Sequence, residues 1–158
     1  MPSAFENLCG PGKPLKAEPP DGAEIAGLRR SAIARLKDAA RQDLALDSRF
    51  DLAYGAAHAL CMAALRRCGY RATQRYIVFQ LLPHTLGLGP DVWRVLSRCH
   101  DLRNLAEYEG ELQVTEELLV ELIAICRRLV ERLGESEWRF TCWNEGGADD
   151  KYFPDHQH

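Results

Sequence analysis

Arg103 and Asn104 stand side by side, with Glu107 and Tyr108 one turn further along the chain and His100 one turn back. At helical spacing His100, Arg103 and Glu107 fall on one face, because residues three and four apart are neighbours on a helix. A histidine titrates near neutral pH, a carboxylate can orient its ring, and a guanidinium can grip an anion through two hydrogen bonds. Such a trio would be serviceable for acid–base work. The plainer use of the same residues is an exposed Arg103–Glu107 pair worth about a few tenths of a kcal/mol, with His100 as polar surface. Four more cations, Arg66, Arg67, Arg71 and Arg75, surround one helix exit and could meet phosphates, although basic side chains there also offset the helix dipole. His58 shares its helix side with Tyr54, Cys61 and Leu65, which favours a core or interface role.

These residues need helices to hold them, and the apolar spacing supplies five. Residues 1–20, with Pro2, Pro11, Pro14, Pro19 and Pro20 beside Gly10 and Gly12, read as a flexible leader, extended or disordered. Asp21 and Glu24 form a capping-box pattern before a first helix carrying Ile25, Leu28, Ala32, Leu36, Ala39 and Leu44. Ser48 is placed to cap a second helix, whose small face of Ala53, Ala56, Ala57, Ala63 and Ala64 suits close packing and which Gly69 ends. Thr73 is placed to cap a third helix over 73–86, and Pro83 should kink or stop it. Gly89-Pro90 opens a fourth, with Val92, Val95, Leu96, Cys99, Leu102, Leu105 and Ala106 as its buried stripe. Thr115, followed by Glu116 and Glu117, opens a fifth that Gly134 stops.

No segment alternates with a strand's period of two, and no repeat is present, so the expected fold is all-α: an up-and-down bundle of four to five helices over 21–134. Beyond it, 135–158 is an aromatic and acidic tail with Trp138, Phe140, Trp143, Tyr152 and Phe153, suited to packing across the bundle or meeting a partner.

Composition narrows the function classes. The 158 residues are 46% hydrophobic and 27% charged, as in a soluble globular domain. A net charge of −3 argues against bulk electrostatic wrapping of duplex nucleic acid and leaves room for a local basic patch. No apolar run approaches the roughly 18 residues of a membrane span, and the N-terminus lacks the pattern of a secretory signal. Six cysteines show no Cys-x-x-Cys spacing. Cys61 and Cys68 lie about 10 Å apart along one helix, too far to bridge, so the expectation is reduced, mostly buried thiols in a cytoplasmic protein. Cys142, His156 and His158 make a weak metal set, and no metal or cofactor is expected.

The order of three segments carries a resemblance to a family: Phe50-Asp51-Leu52-Ala53-Tyr54-Gly55-Ala56-Ala57, the Arg66-Arg67-Cys68-Gly69-Tyr70 exit, and Arg103 to Tyr108 before a last apolar helix. Together they resemble the HEPN family over roughly residues 22–133. Those proteins are small helical bundles known for dimers and for metal-independent RNA cleavage. The resemblance implies a homodimer across the face bearing Arg103, RNA as a ligand, and a role in toxin–antitoxin or defence systems beside a nucleotidyltransferase-type protein. In the family's ribonuclease motif an Arg and a polar residue precede a His. Here Arg103 and Asn104 match, and Tyr108 stands where the His would be.

Carried onto this chain, Arg103 would hold phosphate, Asn104 would position it, and Tyr108 or His100 would manage protons. Cleavage at phosphorus needs a group with a pKa near 7 and a cation for the developing charge. Tyrosine, near 10, is a poor base, which makes His100 the substitute to consider. The competing expectation is a non-catalytic interaction or adaptor module in which the same trio is structural.

Overall fold

A computed structural model describes residues 4–134, and the aromatic tail lies outside them. The described chain is all-α apart from one pair of three-residue strands. In order it forms α1 (Ala4–Asn7), β1 (Leu15–Ala17), α2 (Gly22–Ala39), α3 (Leu46–Arg67), β2 (Tyr70–Ala72), α4 (Ile77–Gln80), α5 (Leu82–Thr85), α6 (Pro90–Glu109) and α7 (Glu116–Arg132).

α3 is the central post. Ala53, Ala56, Ala57, Ala63 and Ala64 are wholly buried, and Phe50, Tyr54, Leu60 and Leu65 fill the space between neighbouring helices. Alanine is the strongest helix former and its small side chain lets other backbones come close. Cys126 of α7 approaches so near that its Sγ lies 3.5 Å from the Ala53 carbonyl. Contacts fix the directions. Arg49, near the start of α3, donates to the Ala39 carbonyl at the end of α2, while Arg66, at the end of α3, meets Glu24 at the start of α2. On α6, His100 meets Tyr54 and Arg103 meets Asp51, so numbers rise on one helix as they fall on the other. Arg128 near the end of α7 pairs with Asp91 at the start of α6. The four long helices therefore alternate up and down.

Helix ends follow local chemistry in most places. Asp21 Oδ1 accepts from the Ala23 and Glu24 amides, Thr115 Oγ1 accepts from the Leu118 amide, and Pro90 opens α6 at a position that needs no donor. Gly69 (φ 92°) follows α3 and Gly110 (φ 75°) ends α6 in the left-handed region that glycine enters without strain.

Several expectations need correction. α3 starts at Leu46 with Ala45 as its cap, so Ser48 lies inside the first turns and caps nothing. α2 stops at Ala39, before Leu44. The expected helix over 73–86 is two single turns, α4 and α5, that meet at Leu81. Pro83 cannot donate to an earlier carbonyl and its ring crowds the preceding turn. Thr73, instead of capping, donates from its amide and hydroxyl to the Pro14 and Lys13 carbonyls. Those bonds belong to the residues read as a leader. Residues 4–20 hold α1 and β1, place Phe5 and Leu15 in the core, and pair β1 antiparallel to β2 with Leu15 opposite Ala72. Burying a leucine such as Leu15 contributes about 1.5–3 kcal/mol, enough to fix a short segment despite its prolines. Finally, Leu105 leaves the buried stripe of α6 and is 44% exposed.

Candidate functional site

The cluster around His100 is built where α6 crosses the middle of α3. Tyr54 and His58, four residues apart on α3, present both rings to the same side. α4 brings Phe79 between them: its ring meets His58, Tyr54 and His100 edge-on, with centroids 6.1, 5.8 and 6.2 Å away. Tyr76, just before α4, lies over the His100 ring at 4.9 Å and donates its hydroxyl to Ser97 Oγ.

Both ring nitrogens of His100 are engaged. Nδ1 lies 2.8 Å from the Tyr54 hydroxyl and Nε2 lies 3.0 Å from Asn104 Nδ2. An amide nitrogen only donates, so in this orientation Nε2 accepts and the ring proton sits on Nδ1, donating to the Tyr54 oxygen. The imidazole is half-buried and Asn104 is exposed, which leaves Nε2 behind one movable side chain.

Cations ring the cluster. The Arg103 guanidinium lies over the Tyr54 ring, 5.1 Å from its centroid, and its Nε is 3.8 Å from Asp51 Oδ1. Arg75, exposed just before α4, sits near enough to the Tyr54 phenol for its charge to act on that group, and among the described residues it has no ion-pair partner. Arg35 of α2 reaches across Gly55, where an added Cβ would meet its Nη1 at 2.9 Å. Burial, then the charges of Arg75 and Arg103, hold the His100 imidazole below its ordinary value, against the opposing pull of Asp101 and Glu107. His58 is pushed down to about 4, first by burial and then by Arg75, His100, Arg103 and Arg35. Burial raises Tyr54, tempered by Arg75 and Arg103. The cluster thus combines two neutral imidazoles with a buried phenol and exposed positive charge.

The opposite side of Arg103 differs. A cleft of about 290 Å³ there is lined by Asp47, Asp51, Glu107 and Glu111 beside Ala106 and Leu112. Those carboxylates would repel a phosphate, so the side of Arg103 fit for an anion is the one it shares with His100 and Arg75.

The sequence-read site is therefore divided. His100, Arg103 and Asn104 converge, while Tyr108, 90% exposed, stands beyond them on the solvent face of α6. Glu107 lines the acidic cleft and does not orient His100; Tyr54 and Asn104 do. Of the four arginines read as phosphate ligands, only Arg75 joins the cluster. Arg66 is 1% exposed and fully committed: Nε to Glu24, Nη1 to the Glu18 and Tyr70 carbonyls, Nη2 to the Pro19 carbonyl. Arg71 is clamped between Glu18 and Glu24, which raise its pKa, and Arg67 is 2% exposed. Glu24 completes only half of its expected capping box because its carboxylate goes to Arg66 and Arg71. Arg66 and Arg71 thus tie the end of the bundle together through Glu18 and Glu24, and Arg67 is buried beside them.

Tyr54, Tyr76 and Arg35 were not singled out from sequence. The Tyr54–His58 spacing was a usable signal for the first, whereas Tyr76 and Arg35 arrive from elements whose packing no local pattern reveals. The chain matches no family model, no curated protein and no solved structure. Among the described residues no group of three or more His, Cys, Asp or Glu side chains could hold a metal ion, and Cys142, His156 and His158 lie outside them. No described helix is long and apolar enough to cross a membrane.

Proposed function

We propose that this chain is an HEPN-like RNA-handling protein of the cytoplasm in which His100, and not Tyr108, moves protons. The observation that carries the reading is a neutral imidazole held between Tyr54 and Asn104 with Arg75 and Arg103 beside it. Arg75 and Arg103 would grip the non-bridging oxygens of a phosphodiester. Substrate would displace the Asn104 amide, and His100 Nε2 would take the proton of the 2′-hydroxyl. The freed oxygen attacks the adjacent phosphorus, the bond from phosphorus to the 5′-oxygen breaks, and the imidazolium returns its proton to that leaving oxygen. The products are a 2′,3′-cyclic phosphate and a free 5′-hydroxyl. Leu105 and Tyr108 share the exposed face of α6 next to Asn104, which supports a homodimer across that face. A nucleotidyltransferase-type partner remains part of the proposal through the family resemblance alone.

The test is cleavage of mixed single-stranded RNA by the purified chain in EDTA. Cyclic phosphate ends are expected, lost in His100→Ala and Arg103→Ala and retained in Tyr108→Phe. A second reading has its own support: both His100 nitrogens and one face of Arg103 are already occupied by the chain itself. A wild-type protein that leaves RNA intact would transfer the proposal to the non-catalytic adaptor module.

A further inference from the structure

The buried cysteines add no nucleophile. Burial raises the Cys61, Cys99 and Cys126 thiols, and Cys68 is disulfide-bonded where a reduced thiol was expected. His58 and Arg35 are more telling, because the proton transfer at His100 uses neither.

α3 is almost sealed by its neighbours. From Ala53 to its end every residue is buried except Gly55, His58 and Met62. At spacings of three and four, these make one open strip along the helix. Arg35 of α2 lies over that strip, so close to Gly55 that an added Cβ would meet its Nη1 at 2.9 Å. Glycine at this position is what lets a guanidinium rest against the α3 backbone. Phe79 walls the strip beside His58, with ring centroids 6.1 Å apart.

The positive charge here exceeds what one phosphodiester needs. Among the described residues no carboxylate pairs with Arg35 or Arg75, and Arg103 reaches Asp51 only at 3.8 Å. After burial, the charges of Arg75, His100, Arg103 and Arg35 keep the His58 imidazole neutral, so all three guanidiniums bear on one ring. A phosphodiester carries a single negative charge, for which Arg75 and Arg103 suffice. Arg35 is left over. So is His58, whose ring nitrogens have no hydrogen-bond partner among the described residues. A guanidinium and a neutral imidazole N–H are both donors suited to phosphate oxygens. Asp51 lies one turn before Gly55 and repels an anion from that end of the strip, which favours the end bearing His58.

We propose that Arg35 and His58, across Gly55, form a second phosphate subsite, which holds the phosphate next to the one gripped by Arg75 and Arg103 in a single nucleic-acid strand. The first phosphate rests on the RNA reading above, whereas the second rests on the open strip of α3. The ligand class is therefore a strand presenting two consecutive phosphates, and Gly55 is a positioning residue for Arg35.

Calorimetric titration of the full chain tests this with DNA probes, which lack the 2′-hydroxyl and so cannot be cleaved by its attack. The probes are a thymidine dinucleotide and the same dinucleotide with one further phosphate at its 5′ or its 3′ end. One of the two phosphorylated probes should bind about tenfold more tightly than the plain one, and which of them does so assigns the strand's direction. Arg35→Gln should abolish that gain and leave the plain dinucleotide's affinity unchanged. Lys37→Gln, which removes a cation from the groove α2 shares with α7, should keep the gain. Gly55→Ala should cut the gain while Tm holds or rises, since alanine favours a helix interior over glycine. No gain with either probe, an equal gain in Arg35→Gln, or an equal loss in Lys37→Gln overturns the subsite. RNA left intact while the gain is present would sink the ribonuclease reading alone. RNA cleaved without the gain would sink the subsite alone.

Discussion

Two arginine clusters sit at different levels of α3 and have opposite surroundings. At its end, Arg66 and Arg71 face Glu18 and Glu24 at 2.7–3.4 Å, and backbone carbonyls take the remaining donors of Arg66. At its middle, Arg75 and Arg103 lie beside Tyr54 and two imidazoles, and among the described residues the ion pair made there is the long one from Arg103 to Asp51 at 3.8 Å. The first cluster is closed: every charge is answered within the chain, and its work is to join the leader, α2 and the β2 turn. The second has positive charge to spare, placed beside a group able to move a proton. Arginine content alone does not separate binding from structure; close ion pairing does, at 2.7–3.4 Å in the first cluster and 3.8 Å in the second.

The largest effect should come from opening the closed cluster. Arg66→Met should lower unfolding free energy by about 3–5 kcal/mol in a urea titration, because it orphans buried acceptors. If that variant unfolds at the wild-type midpoint, the division between clusters fails. Next, Arg103→Ala should reduce the proposed RNA cleavage about 10²–10³-fold, the loss expected for one donor to a developing anion. The same variant should change stability by no more than about 1 kcal/mol, since its pair with Asp51 is exposed. Arg75→Ala sharpens the contrast further. Removing a cation raises the lowered His100 value, so the acid limb of the pH–rate profile, expected below 6.5, should move up.

His58 gives the acid response of the open cluster. Its folded value, about 4, lies below the ordinary 6.5, so the unfolded chain binds its proton more readily. Its contribution to stability is complete above pH 6.5 and is lost as pH falls toward 4, by about 2–3 kcal/mol. Thermal unfolding across that range should show the slope, and His58→Leu should flatten it. The smallest effects concern caps. Thr115→Ala should cost about 1 kcal/mol, whereas Ser48→Ala should stay within about 0.5 kcal/mol because Ser48 is interior to α3.

His100 and Arg103 could be recognised without coordinates because both lie on one helix, where spacing of three dictates a shared face. Asn104 joins them for the same reason. Tyr108 misses the cluster by the same helical geometry, because five residues beyond Arg103 is about 140° around the helix. Arg75 was grouped with the wrong partners: its position in sequence, near Arg66 and Arg71, hides that the chain turns at β2 and carries it back along α3. Leu105 looked buried because apolar spacing cannot distinguish a face covered by the same chain from one left to solvent.

The sequence by itself determined the helical class, the existence of the four long helices and most of their ends. Those depend on local rules: apolar residues every three or four positions, proline at a helix start, threonine before acidic residues, glycine after the last turn. What only the tertiary structure decided was which charges cancel. Glu18 and Glu24 are separated from Arg66 and Arg71 by more than forty positions, and Tyr54 from His100 by 46. Coulombic and hydrogen-bond partners are chosen by distance in space, and a chain reveals that distance only when its helices have packed.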